Sequence, residues 1–180
     1  MTAARRGLAA GAAIASALIV PLFASARPDR APMADPVTVQ HSSVAACATS
    51  SLVIWLDTNG DGAAGSIYFK LKLTNASTRR CTVTGYPGVS AVDLTGHRLG
   101  RAASRISSHV ATVTLTAGAT ATATLRIAQA ANFPATSCRP ALAAGLRVYP
   151  PNQTTAKVVP FPFRACTRLT PVFLSIGAVA

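Results

Sequence analysis

Residues 66–75, SIYFKLKLTN, alternate apolar and polar side chains without a break. Ile67, Phe69, Leu71 and Leu73 fall on one side of an extended chain, and Tyr68, Lys70, Lys72 and Thr74 on the other. A helix would scatter these apolar positions around its circumference, whereas a strand gathers them on one face and leaves the other in water. The pattern recurs in TATATLRI, with Ala121, Ala123, Leu125 and Ile127 inward, and in GLRVYP, with Leu146 and Val148 opposed to Arg147 and Tyr149. Shorter runs, LVIWL, RCTVTG, VSAVDL, VATVTL, KVVPFPF and PVFLSIG, are separated by turn residues at close spacing. No segment after residue 46 sustains an i, i+3, i+4 apolar pattern, so the expectation is an all-β antiparallel β-sandwich of about eight or nine strands. Pro160 and Pro162 remove backbone donors two residues apart, which predicts that KVVPFPF lies at a sheet edge and resists pairing with another chain.

The N-terminus has a different character. Two arginines in MTAARRG precede sixteen mostly apolar residues, LAAGAAIASALIVPLF, and Ala24-Ser25-Ala26 supplies an A-x-A cleavage pattern. Residues 1–26 therefore read as a secretory signal peptide, too short and too rich in Ala and Gly for a bilayer span of ~20 apolar residues. Arg5-Arg6 carries only a fragment of a twin-arginine motif, so the general secretory and twin-arginine routes both stay open. Residues 27–46 contain three prolines and no period and read as a flexible linker, leaving 47–180 as the folded domain. The expected location is secreted or associated with the cell envelope, after cleavage near Ala26.

Cys47, Cys81, Cys138 and Cys166 all lie in the predicted domain, and an even number in an exported chain favours two disulfides over metal ligation. Three pairings are open. The midpoint of 47 and 81 is residue 64, inside DTNGDGAAGS, and that of 138 and 166 is residue 152, inside PPNQT. Each of these pairs would flank one hairpin, which favours them over the other two connectivities.

Without Arg5 and Arg6 the chain has fifteen basic residues against five aspartates and no glutamate, a formal charge of +10. Such a balance fits contact with an anionic envelope polymer or lipid headgroups. The plain alternative is a wet surface with a compositional bias toward arginine. Lys70, Lys72, Arg79 and Arg80 are the candidate anion contacts, because they fall on one predicted strand face and its adjoining loop. No helix-turn-helix or RNA-binding aromatic motif accompanies them, so nucleic acid is not an expected partner, and the chain is expected to be a monomer.

The order DGAAGSIYFKLKLTN, Cys81, GYPGVSAVDLTGHRLGRAA, VTLTAGATATATL, Cys138, GLRVYPP and Cys166 resembles the actinobacterial secreted family called domain of unknown function 4232. The likeness covers about Cys47 to Ile176, and D-G-A-A-G-S, L-T-N and C-x-x-x-G-Y-P-G-V are its most specific pieces. It implies an exported protein or lipoprotein with an immunoglobulin-like β-sandwich, and it implies no activity.

Several motifs invite a chemical reading. D-T-N-G-D-G matches the first half of a calcium loop, with Asp57, Asn59 and Asp61 at positions one, three and five, but position twelve, which requires a bidentate carboxylate, is Tyr68. Its glycines and asparagine instead predict a hairpin turn, and no metal or cofactor is expected. Pro87-Gly88 predicts a type II turn within GYPG. Trp55 suits a buried plug between the sheets better than an exposed stacking platform. The alternative to a non-catalytic envelope module is an extracellular hydrolase with a site near Asp93, His97 and His109. The chain lacks a G-x-S-x-G elbow and an H-E-x-x-H pair, and the reading adopted is that it is not an enzyme.

Overall fold

A computed structural model describes residues 43–180. The predicted signal peptide and most of the predicted linker lie outside the described residues. Eleven strands follow among the described residues: β1 (Leu52–Ala63), β2 (Ser66–Asn75), β3 (Cys81–Thr84), β4 (Gly88–Val92), β5 (Arg98–Leu99), β6 (Ser104–Arg105), β7 (Thr112–Leu115), β8 (Thr120–Ala128), β9 (Pro140–Tyr149), β10 (Lys157–Cys166) and β11 (Leu174–Ile176). Sheet I has the order β1-β2-β8-β11-β6 and sheet II the order β10-β9-β4-β5, while β3 and β7 pair separately. All pairings are antiparallel except β11 with β6. This is the expected all-β sandwich, and the strands beyond the predicted number are β5 and β6, two residues each and too short to show a period.

The inward residues of β2 and β8 behave as their alternation requires. Phe69, Leu71, Leu73, Ala121, Ala123, Leu125 and Ile127 are buried, and they meet Val89, Ala91, Leu146, Val148 and Val159 of sheet II. Phe173, Leu174 and Ile176 are fully buried between them. Two disulfides, Cys47–Cys81 and Cys138–Cys166, close the bases of the β1–β2 and β9–β10 hairpins. Each constrains the unfolded chain. The chain joins the fold slightly ahead of the expected boundary at Cys47, since the Thr82 amide donates to the Ala45 carbonyl and Ala46 bridges β3.

Three local expectations need correction. DTNGDGAAGS is not a broad turn: β1 continues through Asp57–Ala63 with a bulge between Asp57 and Asp61, and the connection is only Ala64-Gly65. Both connecting residues have positive φ (42° and 75°), the geometry of a tight two-residue hairpin. Gly60 serves close approach, because a Cβ there would lie 2.7 Å from Ile67 Cγ2 and from a Phe69 ring carbon. In GYPG the left-handed residue is Gly85, while Gly88 opens β4, so the Pro-Gly pair is not the centre of a type II turn. Trp55 is not a buried plug; it is 40% exposed on the outer face of sheet I. Its place on the face opposite the buried Leu52 and Leu56 decides this, since that face of sheet I turns away from the core between the sheets.

Pro160 and Pro162 lie where predicted, on the edge strand β10 of sheet II, with a register shift between Pro160 and Phe163. The lone helical turn of α type among the described residues, Ala135–Cys138, carries Cys138 into the core.

Candidate functional site

The outer face of sheet I follows directly from register. Cross-strand rows run Val53–Thr74–Thr120, Trp55–Lys72–Thr122, Asp57–Lys70–Thr124 and Asp61–Tyr68–Arg126. One basic side chain stands in each of the last three rows, with an aromatic ring in two of them. Lys70 Nζ donates to Thr124 Oγ1 at 3.3 Å, and the Trp55 indole N–H donates to Thr74 Oγ1 at 3.2 Å. Lys72 is spoken for: its ammonium lies 2.9 Å from Asp57 and 4.6 Å from the centroid of the Trp55 ring. The Lys72 hydrogen bond, helped by the Asn59 amide, holds the Asp57 carboxyl below its ordinary value.

The four predicted anion contacts are therefore only partly gathered. Lys70 and Lys72 share this face, whereas Arg79 and Arg80 sit in the loop beyond β2 and border a separate cleft with Val44, Ala46, Ser51 and Ser77. Lys70 lines a groove of about 530 Å³ together with Tyr68, Ser108, Thr122 and Thr124. Arg126 completes the face and was missed by reading basic residues in sequence order; the outward phase of TATATLRI was the available signal.

Residues 43–180 contain thirteen lysines and arginines and three aspartates. Among these residues Lys72–Asp57 is the one lysine or arginine salt bridge. Asp93 is engaged elsewhere and Asp61 stands in the row of Tyr68 and Arg126, so among the described residues most lysines and arginines outside that face are not paired with a carboxylate.

The Asp57–Asp61 stretch makes a poor calcium site. Asp57 faces an ammonium, and no group of three His, Cys, Asp or Glu is placed to hold a metal among the described residues. Asp93, His97 and Thr95 do come together, in the β4–β5 turn. Asp93 Oδ1 accepts from the Thr95 amide at 2.9 Å, the Thr95 hydroxyl at 2.7 Å and the His97 amide at 2.8 Å. These bonds, the hydroxyl first, hold the Asp93 carboxyl below its ordinary value. Thr95 Oγ1 also lies 2.7 Å from His97 Nδ1. A hydroxyl has one proton, and the ionised Asp93 can only accept, so with the Thr95 hydroxyl donating to Asp93 the His97 Nδ1–H donates to Thr95 Oγ1. The His97 side chain is 83% exposed. His109 lies in the exposed 106–111 segment and shares no hydrogen bond with this turn. The cluster staples a turn, and Arg147 Nη2 anchors it further by donating to the Gly96 carbonyl at 2.5 Å.

Asn75 is the polar residue whose role the sequence reading left unassigned. It is fully buried at the end of β2, where its Nδ2 donates to the carbonyls of Arg79, Leu115 and Thr116 and its Oδ1 accepts from the amide and hydroxyl of Ser77. Alternation along SIYFKLKLTN already put an asparagine on the inward face, and that was the signal. The role is structural: it fixes the loop that carries Arg79 and Arg80.

The sequence matches the family described as Domain of unknown function (DUF4232) over residues 47–178, so the chain belongs to that family. A comparison with curated proteins finds no match.

Proposed function

We propose that this protein is an exported, non-catalytic binding module of the cell envelope that holds an anionic polymer or lipid-headgroup surface on the outer face of sheet I. The observation that carries the reading is the excess of cations over the domain, thirteen against three carboxylates in residues 43–180. On this face Lys70, Lys72 and Arg126 stand with Asp57 and Asp61, and Lys72 is taken up by Asp57, so Lys70 and Arg126 are the proposed contacts. A surface of this kind attracts polyanions at long range. Two disulfides support an oxidising compartment, and the signal-like residues 1–26 support export. The non-catalytic reading is supported by the turn around Asp93, where Asp93 accepts from the backbone and the Thr95 hydroxyl as a turn staple and the His97 side chain is exposed.

Co-sedimentation with purified envelope and with anionic vesicles across a salt series tests the proposal. Binding should fall as the Debye length shortens from ~10 Å at 0.1 M to ~3 Å at 1 M. Lys70→Gln with Arg126→Gln should weaken it more than Lys72→Gln, because Lys72 is already paired with Asp57. Absence of binding at low salt, or binding unchanged in the Lys70/Arg126 double variant, would overturn the reading.

A further inference from the structure

At the end of the sandwich nearest the β1 bulge, the two sheets flank a half-open cavity of about 280 Å³ lined by Ile67, Phe69, Ile127, Ala130, Phe161 and Phe163. Its walls come from β2 and β8 on one side and β10 on the other, and Ala131, Gln129 and Arg164 stand with it. Ala131, Gln129 and Arg164 are exposed, while Ile67, Phe161 and Phe163 are half-buried. The rings of Phe69, Phe161, Phe163 and Phe173 form a continuous series, with successive centroids 5.0, 5.7 and 6.4 Å apart, leading from the cavity to the fully buried Phe173. Four features describe one kind of ligand site: an apolar interior, a concave shape, a small number of polar groups, and a cation beside it.

We propose that this cavity takes the hydrocarbon chain of a fatty carboxylate, with the carboxylate beside Arg164 and Gln129. The volume admits roughly nine water-sized groups, which corresponds to a chain of about ten carbons. Charge complementarity sets the head group, since residues 129–131 and 160–164 include Arg164 and no carboxylate. Pro160 and Pro162 argue against a peptide strand as occupant, because neither has an amide proton to pair with one. This site is separate from the outer face of sheet I and uses none of its residues.

Isothermal titration of the purified protein with hexanoate, octanoate, decanoate and dodecanoate tests the proposal. Affinity should rise about fourfold for each methylene added and level off near ten carbons, where the cavity is full. Ala131→Phe, at an exposed position, should abolish binding by filling the entrance. Arg164→Gln should weaken decanoate roughly threefold, as an exposed ion pair does, and leave decan-1-ol unchanged. The Lys70→Gln/Arg126→Gln variant should bind decanoate like the unaltered protein, which separates this site from the proposed polyanion face. No binding by any member of the series, affinity independent of chain length, or affinity that rises as steeply from ten to twelve carbons as from eight to ten would overturn it. The chain-length series uses the unaltered protein, so the result stands whether or not Ala131→Phe folds.

Discussion

The β1–β2 and β9–β10 hairpins are built on the same plan and finished with opposite chemistry. Each is closed at its base by a disulfide, and each has a bulge in the strand that forms a sheet edge. In β1 the bulge is Thr58-Asn59-Gly60, flanked by Asp57 and Asp61, and the adjoining outer face bears Trp55, Lys70 and Lys72. In β10 it is Phe161-Pro162, following Pro160, and the rings turn inward to line an apolar cavity. An unpaired edge is a hazard that a bulge, a charge or a proline relieves. Here one edge uses bulge and charge, and the other bulge and proline. The same architectural need thus leaves a polar surface at one edge and a greasy opening at the other, which is why a single small domain carries two candidate sites of unlike chemistry.

The largest expected effects come from the bases of the two hairpins. Loops of 34 and 28 residues predict nearly equal losses, about 4 kcal/mol each, when Cys47–Cys81 or Cys138–Cys166 is replaced by alanines. Chemical denaturation of the two double variants measures this, and a gap above ~1 kcal/mol would show that the hairpins are not equivalent supports. Asn75→Ala should follow, at about 3 kcal/mol, because it strips buried carbonyls of their donor. The β9–β10 base has no such residue: its Cys138 carbonyl is met by the backbone amide of Thr167. Gly60→Ala comes next, at about 1–3 kcal/mol, since the new methyl must displace Ile67 and Phe69. Pro160→Ala, at an exposed position beside the other bulge, should change stability by less than about 0.5 kcal/mol. Equal melting temperatures for Gly60→Ala and Pro160→Ala would remove the claim that one bulge is packed and the other is open.

How much of this was legible follows from where periodicity speaks. Alternation through SIYFKLKLTN and TATATLRI placed the core and the wet face of sheet I, because each strand is long enough to repeat its phase several times. Two-residue strands such as β5 have no phase to read. Cysteine spacing pointed to the observed hairpins because antiparallel neighbours bring residues equidistant from a turn together. Glycines misled at DTNGDG and GYPG: Gly60 is needed for contact with side chains seven and nine residues away, and a local turn rule cannot see that. Trp55 misled for a related reason, since which face of a strand is covered depends on where the second sheet packs, and here it packs on the Leu52 and Leu56 side. The anion contacts were half legible: sequence neighbours Arg79 and Arg80 diverge from Lys70, while distant Arg126 joins its face through pairing of β2 with β8. The apolar cavity was not legible, because it is made by β2, β8 and β10 together.

The smallest effect is the one that separates the hairpins most cleanly. Residues 140–166 contain no carboxylate, so the β9–β10 hairpin has nothing to titrate in acid, whereas β1 carries Asp57 against Lys72. The folded Asp57 carboxyl ionises below the ordinary 3.8, first because of the Lys72 hydrogen bond. A depressed folded value means the pair contributes above the unfolded carboxylate value and is lost as pH falls through the lower, folded one. Protonating Asp57 releases Lys72 from its place over the indole of Trp55. Trp55 is the only tryptophan in the chain, so its fluorescence should shift in a single step below pH 3.8. The step should vanish in Asp57→Asn and persist in Asp93→Asn, whose own carboxyl is also depressed but belongs to the β4–β5 turn. The effect on unfolding should be slight, because an ion pair at the surface with both partners still partly in water contributes little. A Trp55 transition that survives Asp57→Asn would mean that acid acts on the whole sandwich, and the contrast between the hairpins would not rest on this charge pair.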